Sequence, residues 1–336
     1  MFCIEDIEMS GASIPYHLRQ NKVIDRYAFI DLLLKINKIH NISEYTYIGF
    51  GGHSLEDFKY VHTQFGVCSM VSIEENEHVF KRQKFNQPIS CIVRHQQSSN
   101  DFINGFRRNN KTIMWLDYTK PDELLRQVSE FQSVLQALDP FDIIKVTLNA
   151  NPAALLSSDK SLSPSDLQAN RVDKLRIRLG DVFPESDITP NLMTHRDYPV
   201  ALCLILKFAA NLALEGQPGI YFQPLTAFAY ADGQQMLTVT GILLEETEKT
   251  DFLKQTGVEE WELSNTNWGI PKRIDIPDFT IKERLYIDSL LPDAKAEDIQ
   301  NKLEFLFDNS EKKSLDMLST YILFYRRSPL FSRVLI

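Results

Sequence analysis

The chain has 336 residues, a net charge of −9, and 43% hydrophobic and 24% charged residues. That is an ordinary globular balance, long enough to bury a substantial core and to exceed one average domain. The negative balance, with no long basic block, argues against a dedicated nucleic-acid binder. No apolar run nears the ~20 residues that cross a bilayer, so no membrane partner is expected.

The acidic start Met1-Phe-Cys-Ile-Glu-Asp-Ile-Glu8 lacks the basic and apolar regions of a signal peptide. Cys3, Cys68, Cys91 and Cys203 show neither a Cys-x-x-Cys pair nor zinc-like spacing. These features predict a cytoplasmic, reduced protein without a structural metal, with Cys68 and Cys91 acting as small hydrophobes in buried strands.

Residues 1–16 read as an irregular arm. Val23, Tyr27, Ile30, Leu33, Leu34 and Ile36 recur at helical spacing and predict a helix over 21–39. A strand over 45–49 breaks into Gly49, Gly51 and Gly52, and a helix over 55–65 follows. Next come a strand over 67–74 ending in Glu74, a polar helix over 76–86 stopped before Pro88, and a strand over 89–94. A polar turn offers Ser98, Ser99 and Asn100, with Ser99 or Asn100 as a helix cap. A strand over 112–116 closes on Asp117-Tyr118, an amphipathic helix spans 122–138, and a strand over 142–148 runs into Asn149-Ala-Asn-Pro152.

Five strands alternating with helices predict a parallel sheet covered on both faces. The Ser-, Asp-, Asn- and Pro-rich stretch 153–190, with a short basic helix at 172–179, reads as an insertion or lid. A helix over 198–214 precedes strands at 220–231 and 235–244 that flank Asp232-Gly233, a dipeptide favouring a type I′ hairpin. Residues 260–278 read as irregular, and 281 onward as mostly helical.

Several residues carry candidate chemistry. Gly49, Gly51 and Gly52, with Phe50 between them, would let backbone approach a ligand, although a turn with positive φ explains any single glycine equally well. Glu74, with Glu75 as competitor, stands where an acid accepts hydrogen bonds from both hydroxyls of a ribose. Asp117 and Tyr118 end a central strand, where open α/β sheets place their crevice. Asp117 would take a proton or orient a nucleophile, and Tyr118 would wall the pocket.

Asn149 and Asn151 lie on the same rim, but turn formation before Pro152 explains them as cheaply. His53 beside the glycines is the best-placed histidine for a general base, against a plain surface residue. His195, Arg196 and Asp197 fit a solvated loop better than a substrate lid. Arg19, Lys22 and Arg26 form a basic cluster whose default is a solvated helix face.

A parallel sheet that finishes in an antiparallel hairpin resembles class I S-adenosylmethionine-dependent methyltransferases; dinucleotide dehydrogenases repeat the parallel half instead. More narrowly, six motifs resemble a family of bacterial proteins labelled O-methyltransferases. They are Tyr47-Ile-Gly-Phe-Gly51, Asp57-Phe58, Val71-Ser-Ile-Glu74, Phe85-Asn-Gln-Pro88, Trp115-Leu-Asp-Tyr118 and Thr147-Leu-Asn-Ala150. Tyr325-Arg326 and Pro329-Leu-Phe331 join them.

The resemblance implies an α/β fold: a doubly wound, Rossmann-like, seven-stranded mixed sheet ending in an antiparallel β-hairpin, with a helical C-terminal extension. It implies an arm and helix over 1–40, a methyltransferase-like domain over 41–250 with an insertion at 153–197, and an extension over 251–336 that offers a surface for a protein partner. The implied cofactor is S-adenosylmethionine, held by Tyr47, Gly49, Phe50, Gly51, Gly52, Asp57, Glu74, Ser98 and Ser99. Catalysis would fall to Asp117, Tyr118 and His53, acting on an unidentified acceptor.

The chain departs from the class at two points. Tyr47 stands where an acid usually precedes the first glycine, and His53 stands at the third glycine. Asp57 is the candidate to replace the missing charge. The alternative these departures favour is a catalytically inactive methyltransferase fold serving as a ligand sensor or a subunit of a complex.

Overall fold

β-Branched and aromatic runs alternate with amphipathic stretches along the first half of the chain, and each run pairs into one sheet. A computed structural model describes residues 19–157 and 161–332, so the arm expected over 1–16 lies outside the described residues. In chain order the first half comprises α1 (Gln20–Ile36), β1 (Thr46–Gly49), α2 (Glu56–Phe65), β2 (Ser69–Glu74), α3 (Glu77–Asn86), β3 (Ile92–Gln96), α4 (Ser99–Gly105), β4 (Thr112–Asp117), α5 (Leu124–Ala137) and β5 (Ile143–Asn149). After them come α6 (Pro164–Leu179), α7 (Tyr198–Leu214), β6 (Ile220–Asp232) and β7 (Gln234–Glu245). The chain continues through α8 (Lys249–Thr256), β8 (Lys272–Ile274), α9 (Ile281–Leu290), α10 (Ala296–Lys302) and α11 (Glu311–Phe324).

The sheet order is β3-β2-β1-β4-β5-β7-β6-β8. Strands β3 through β5 are parallel, and β7 joins β5 antiparallel, Val146 opposite Val239. The mixed doubly wound sheet with a terminal hairpin is as expected, but it has eight strands rather than seven. The extra strand, β8, is three residues long and lies in the stretch read as irregular. Three residues are too few for a period-2 pattern to register.

Two compact units make up the chain. One is Phe29–Ala229 with Gln234–Lys272; the other is Tyr230–Gly233 with the described parts of Met1–Ala28 and Arg273–Ile336. In the first unit, side chains alternate across the sheet as pleating requires. Tyr47, Ile113 and Trp115 join α2 residues Phe58 and Val61 in one apolar layer. Ile48, Met114 and Leu116 join Val128, Phe131, Val134 and Leu135 of α5 in the other. β5 is buried along Ile143–Leu148, which is why it reads as a continuous apolar run. Even its lysine is enclosed: Lys145 Nζ lies 4.2 Å from the Trp115 ring centroid and 4.9 Å from that of Phe29, close enough for cation–π attraction.

The described residues of 153–190, the stretch read as an insertion or lid, pack within the sheet unit. α6 starts eight residues earlier than expected, capped by Ser163 accepting from the Asp166 amide. Val172, Leu175 and Leu179 enter the same apolar layer as α5 and α7. Buried Arg171 ties the segment down, donating to the Leu156 and Met193 carbonyls at 2.9 Å each.

Three further expectations change. Cys68 is exposed and Cys91 only half-buried, because both precede their strands instead of lying within them. The Asp232-Gly233 turn has positive φ only at Gly233 (+105°), so it is not type I′, which needs positive φ at both residues. Arg26 is buried, so Arg19, Lys22 and Arg26 are not one solvated face.

In the second unit, Asp232 instead serves as an anchor, accepting from the Asn21 and Lys22 amides at 3.2 and 2.7 Å. The Asn21 side chain donates to the Ala231 carbonyl at 2.9 Å and accepts from the Ile276 amide at 3.1 Å. Ile287, Ile299, Leu318, Tyr321 and Tyr325 form the core among α9, α10 and α11.

Candidate cofactor-binding site

The strand order reverses between β1 and β4, and the carboxyl ends flanking such a switch point form a crevice in open α/β sheets. Gly49 stands opposite Trp115 in this register, so the glycine loop leaves β1 beside Asp117 at the end of β4. Glu74 ends β2 on the other side of β1, opposite Gln96. The fold therefore brings the loop, Glu74 and Asp117 to one rim from three separate stretches of sequence.

Two glycines and one leucine set the loop's path. φ is +70° at Gly51, +52° at Gly52 and +54° at Leu55, while Gly49 has no such requirement. The Leu55 amide closes the turn on the Gly51 carbonyl at 3.0 Å. A Cβ on Gly51 would lie 2.6 Å from Leu55 Cδ2 and 2.7 Å from Phe58 Cε2, so packing of the loop on α2 also demands glycine there.

The rest of the hold comes from α3, through a residue the sequence did not single out. Gln83 is fully buried. Its Nε2 donates to the Phe50 carbonyl at 2.9 Å and the Gly52 carbonyl at 2.7 Å. Its Oε1 accepts from Ser72 Oγ at 3.2 Å. Asn86 adds a bond to the His53 carbonyl at 2.9 Å. A glutamine on a polar helix carries no periodic signal; only the tertiary fold shows that it clamps the loop.

Of the two adjacent acids, Glu74 is the one on the rim. Its Oε1 accepts from the Asn76 amide at 2.8 Å. Burial raises its pKa, partly offset by that amide. Glu75 turns outward, where Lys120 Nζ lies 3.5 Å away.

Tyr47, proposed as a ligand contact, is a core residue, 1% exposed, with its ring edge-on to Phe58 at 4.9 Å. Asp57 is buried in the first turn of α2, and His53 is half-buried in the loop.

Ser98 and Ser99 are committed to structure. The cap of α4 is Ser98, not Ser99 or Asn100: its Oγ accepts from the Asp101 amide at 3.1 Å and donates to Asp101 Oδ2 at 2.7 Å. Ser99 Oγ accepts from Arg126 at 3.1 Å.

Tyr118 is likewise enclosed. Its hydroxyl donates to the buried Glu130, which accepts from Arg126 at 2.7 Å, and Arg126 also pairs with Glu123. Burial first, and then the Glu130 carboxylate, hold the phenol well above its ordinary pKa, so it is a neutral donor and not a base. Its ring supports the half-exposed Phe50, edge-on at 5.5 Å.

Asn149 donates to the Thr119 carbonyl at 3.3 Å and accepts from the Asn151 amide at 3.0 Å, so both it and Asn151 shape the turn. His195 is exposed, and its carbonyl accepts from Gln235 at 2.7 Å.

Two cavities, of about 90 and 500 Å³, lie elsewhere. The larger runs along the sheet face by Val71, His95, Asp101 and Phe102, and neither is lined by the loop glycines, Glu74 or Asp117.

No curated protein matches the sequence. Among solved structures, the chain is similar to Trm1 from Pyrococcus horikoshii with S-adenosyl-L-methionine, at 10% identity and TM-score 0.40, covering 68% of this chain but only 56% of that one. It is similar to a putative O-methyltransferase from Klebsiella pneumoniae at 9% identity and TM-score 0.37, covering 69% and 92% of the two chains. It is also similar to the plantazolicin methyltransferase BamL at 9% identity and TM-score 0.41, covering 67% and 86%. Likenesses this low carry no functional argument. The family model is different in reach: residues 14–336 match the family described as "Putative O-methyltransferase", so the chain belongs to that family.

Proposed function

We propose that the chain is an S-adenosylmethionine-dependent methyltransferase, with oxygen, as the family description has it, the acceptor atom. The observation that carries this reading is the convergence of Glu74 and the glycine loop on the switch point of the sheet. Glu74 is suited to accept from the ribose hydroxyls, and the loop to take the methionine end past Gly49 and Gly51. The cofactor would supply an electrophilic sulfonium methyl. The protein's part is then to hold a nucleophile in line and give its proton a route away.

Asp117 is the rim acid placed for that second task. Tyr118, sealed on Glu130, acts by supporting Phe50 and not by touching the acceptor. A second reading, binding without transfer, is favoured by one observation: the position that usually carries an acid holds the core residue Tyr47.

Calorimetric titration with S-adenosylmethionine, S-adenosylhomocysteine and NAD separates the cases. Binding of the first two, lost in Glu74→Ala, supports the proposal; silence for all three refutes it. Binding that survives Asp117→Ala while transfer ceases supports the catalytic assignment. Binding with no transfer to any oxygen acceptor in an extract turns the balance to the second reading.

A further inference from the structure

At the opposite end of the same strands, three side chains from distant parts of the sequence meet. A ring nitrogen of His62, Cys68 Sγ and Cys91 Sγ lie within 4.8 Å of one another. His62 is in the last turn of α2, Cys68 immediately precedes β2, and Cys91 immediately precedes β3. β2 is six residues long, so at ~3.3 Å per residue this cluster stands roughly 20 Å from Glu74. It belongs to the amino ends of the strands and takes no part in the rim described above.

Three features make the cluster a site and not a coincidence of packing. The first is the ligand chemistry, since two sulfurs and an imidazole are the donors a thiophilic d¹⁰ cation selects. The second is the histidine's tautomer. His62 Nδ1 lies 2.9 Å from the Val67 carbonyl oxygen, which can only accept, so Nδ1 carries a proton and in the neutral ring the lone pair is on Nε2. A ring N–H given to a backbone carbonyl is the outer-shell bond that orients a metal-ligating histidine. The third is access. Cys68 is exposed and Cys91 half-buried, so an ion can enter and a fourth ligand can reach it.

In a tetrahedral zinc site, with Zn–S near 2.3 Å, the sulfurs stand about 3.8 Å apart, so closing from a spacing of at most 4.8 Å needs no more than about 1 Å of side-chain movement.

We propose that His62 Nε2, Cys68 Sγ and Cys91 Sγ bind one zinc ion, with the fourth position left to water or an exogenous ligand. Binding forms one Zn–N and two Zn–S bonds and releases the two thiol protons to solvent, with no change in oxidation state.

The test uses the full chain, reduced and kept anaerobic. Cobalt(II) is added as a spectroscopic probe, and zinc is then titrated against a chromophoric chelator. One equivalent of cobalt should give a sulfur-to-cobalt charge-transfer band and the intense visible bands of a tetrahedral site, both discharged by zinc. Cys68→Ser and Cys91→Ser should each lose the band, and His62→Gln should shift it and weaken binding. Zinc should raise the unfolding midpoint of the wild type and leave that of Cys68→Ser unmoved. Cys68→Ser replaces an exposed side chain, so its far-ultraviolet spectrum should match the wild type and keep the comparison valid.

Absence of the band in the reduced wild type overturns the proposal, as does a band that persists in Cys68→Ser. Loss of both thiols to a disulfide on exposure to air, with no metal bound beforehand, overturns it in favour of a redox pair. None of these readouts depends on S-adenosylmethionine.

Discussion

Gly49 ends β1 and Gly51 lies two residues on in the loop, yet the structure gives them different reasons to be glycine. That difference can be measured. Gly51→Ala forces an L-residue to φ +70° and puts its Cβ 2.6 Å from Leu55 Cδ2 and 2.7 Å from Phe58 Cε2. The backbone conformation costs about 1–2 kcal/mol. Overpacking against Phe58, which is fully buried, adds about 1–3 kcal/mol. The expected loss is therefore roughly 2–5 kcal/mol.

Gly49→Ala meets only ordinary contacts, 3.5 Å to the Trp115 carbonyl and 3.5 Å to the Tyr47 hydroxyl, with no positive φ. By restricting the unfolded chain it should be neutral or stabilising by about 0.4–1 kcal/mol. Urea unfolding followed by tryptophan fluorescence is the suitable assay, because the chain's three tryptophans, Trp115, Trp261 and Trp268, all belong to the sheet unit. A Gly51→Ala midpoint equal to wild type at unchanged slope would refute the reasoning. So would Gly49→Ala costing as much as Gly51→Ala. If Gly49→Ala keeps its stability and loses S-adenosylhomocysteine, the first glycine serves the ligand and the second serves the fold.

Gln83→Leu keeps most of the side-chain volume but strips the loop carbonyls of Phe50 and Gly52 of their buried donor; a loss of about 2–4 kcal/mol is expected, with weaker ligand binding, and unchanged stability would show that water replaces the amide. Tyr118→Phe removes a hydrogen bond to a buried carboxylate and should cost about 1–3 kcal/mol while leaving methyl transfer in place. Loss of turnover at full stability would instead return the phenol to the reaction.

Glu74 should give pH dependences of opposite sign. Burial raises its pKa in the folded state, so its contribution to stability is full below the unfolded pKa and declines as pH rises through the folded one. Ribose recognition needs the carboxylate, so affinity should fall as pH drops through the same raised value. Calorimetry of wild type against Glu74→Gln checks this: their affinities should converge at mildly acidic pH, and a constant gap would sink it.

What the sequence revealed, and what it hid, follows from the range of the interactions concerned. The limits of α7 are legible because its apolar residues run almost all round the helix and give way only at Gly216 and Pro218. The turn from β1 into the glycine loop and the placing of Glu74 at the end of β2 are legible because each is a local change of pattern at a strand terminus. The roles of Ser99, Tyr118 and Tyr47 are not local. Tyr118 is a rim residue by sequence position, and only the return of α5 brings Glu130 beneath it. Tyr47 looks like a ligand contact until α2 lays Phe58 across it.

The same reasoning explains why the spacing of the cysteines gives no sign of the proposed zinc site. Cys68 and Cys91 are 23 positions apart, without the short spacing that marks a metal site in sequence. Parallel pairing of β2 with β3, Met70 opposite Ile92, nevertheless sets the residues before those strands side by side. In the proposed site a βαβ crossover takes the place of the short Cys-x-x-Cys loop in joining two ligands. Sites assembled in this way leave no motif, and searching the amino ends of neighbouring parallel strands is a physical route to them.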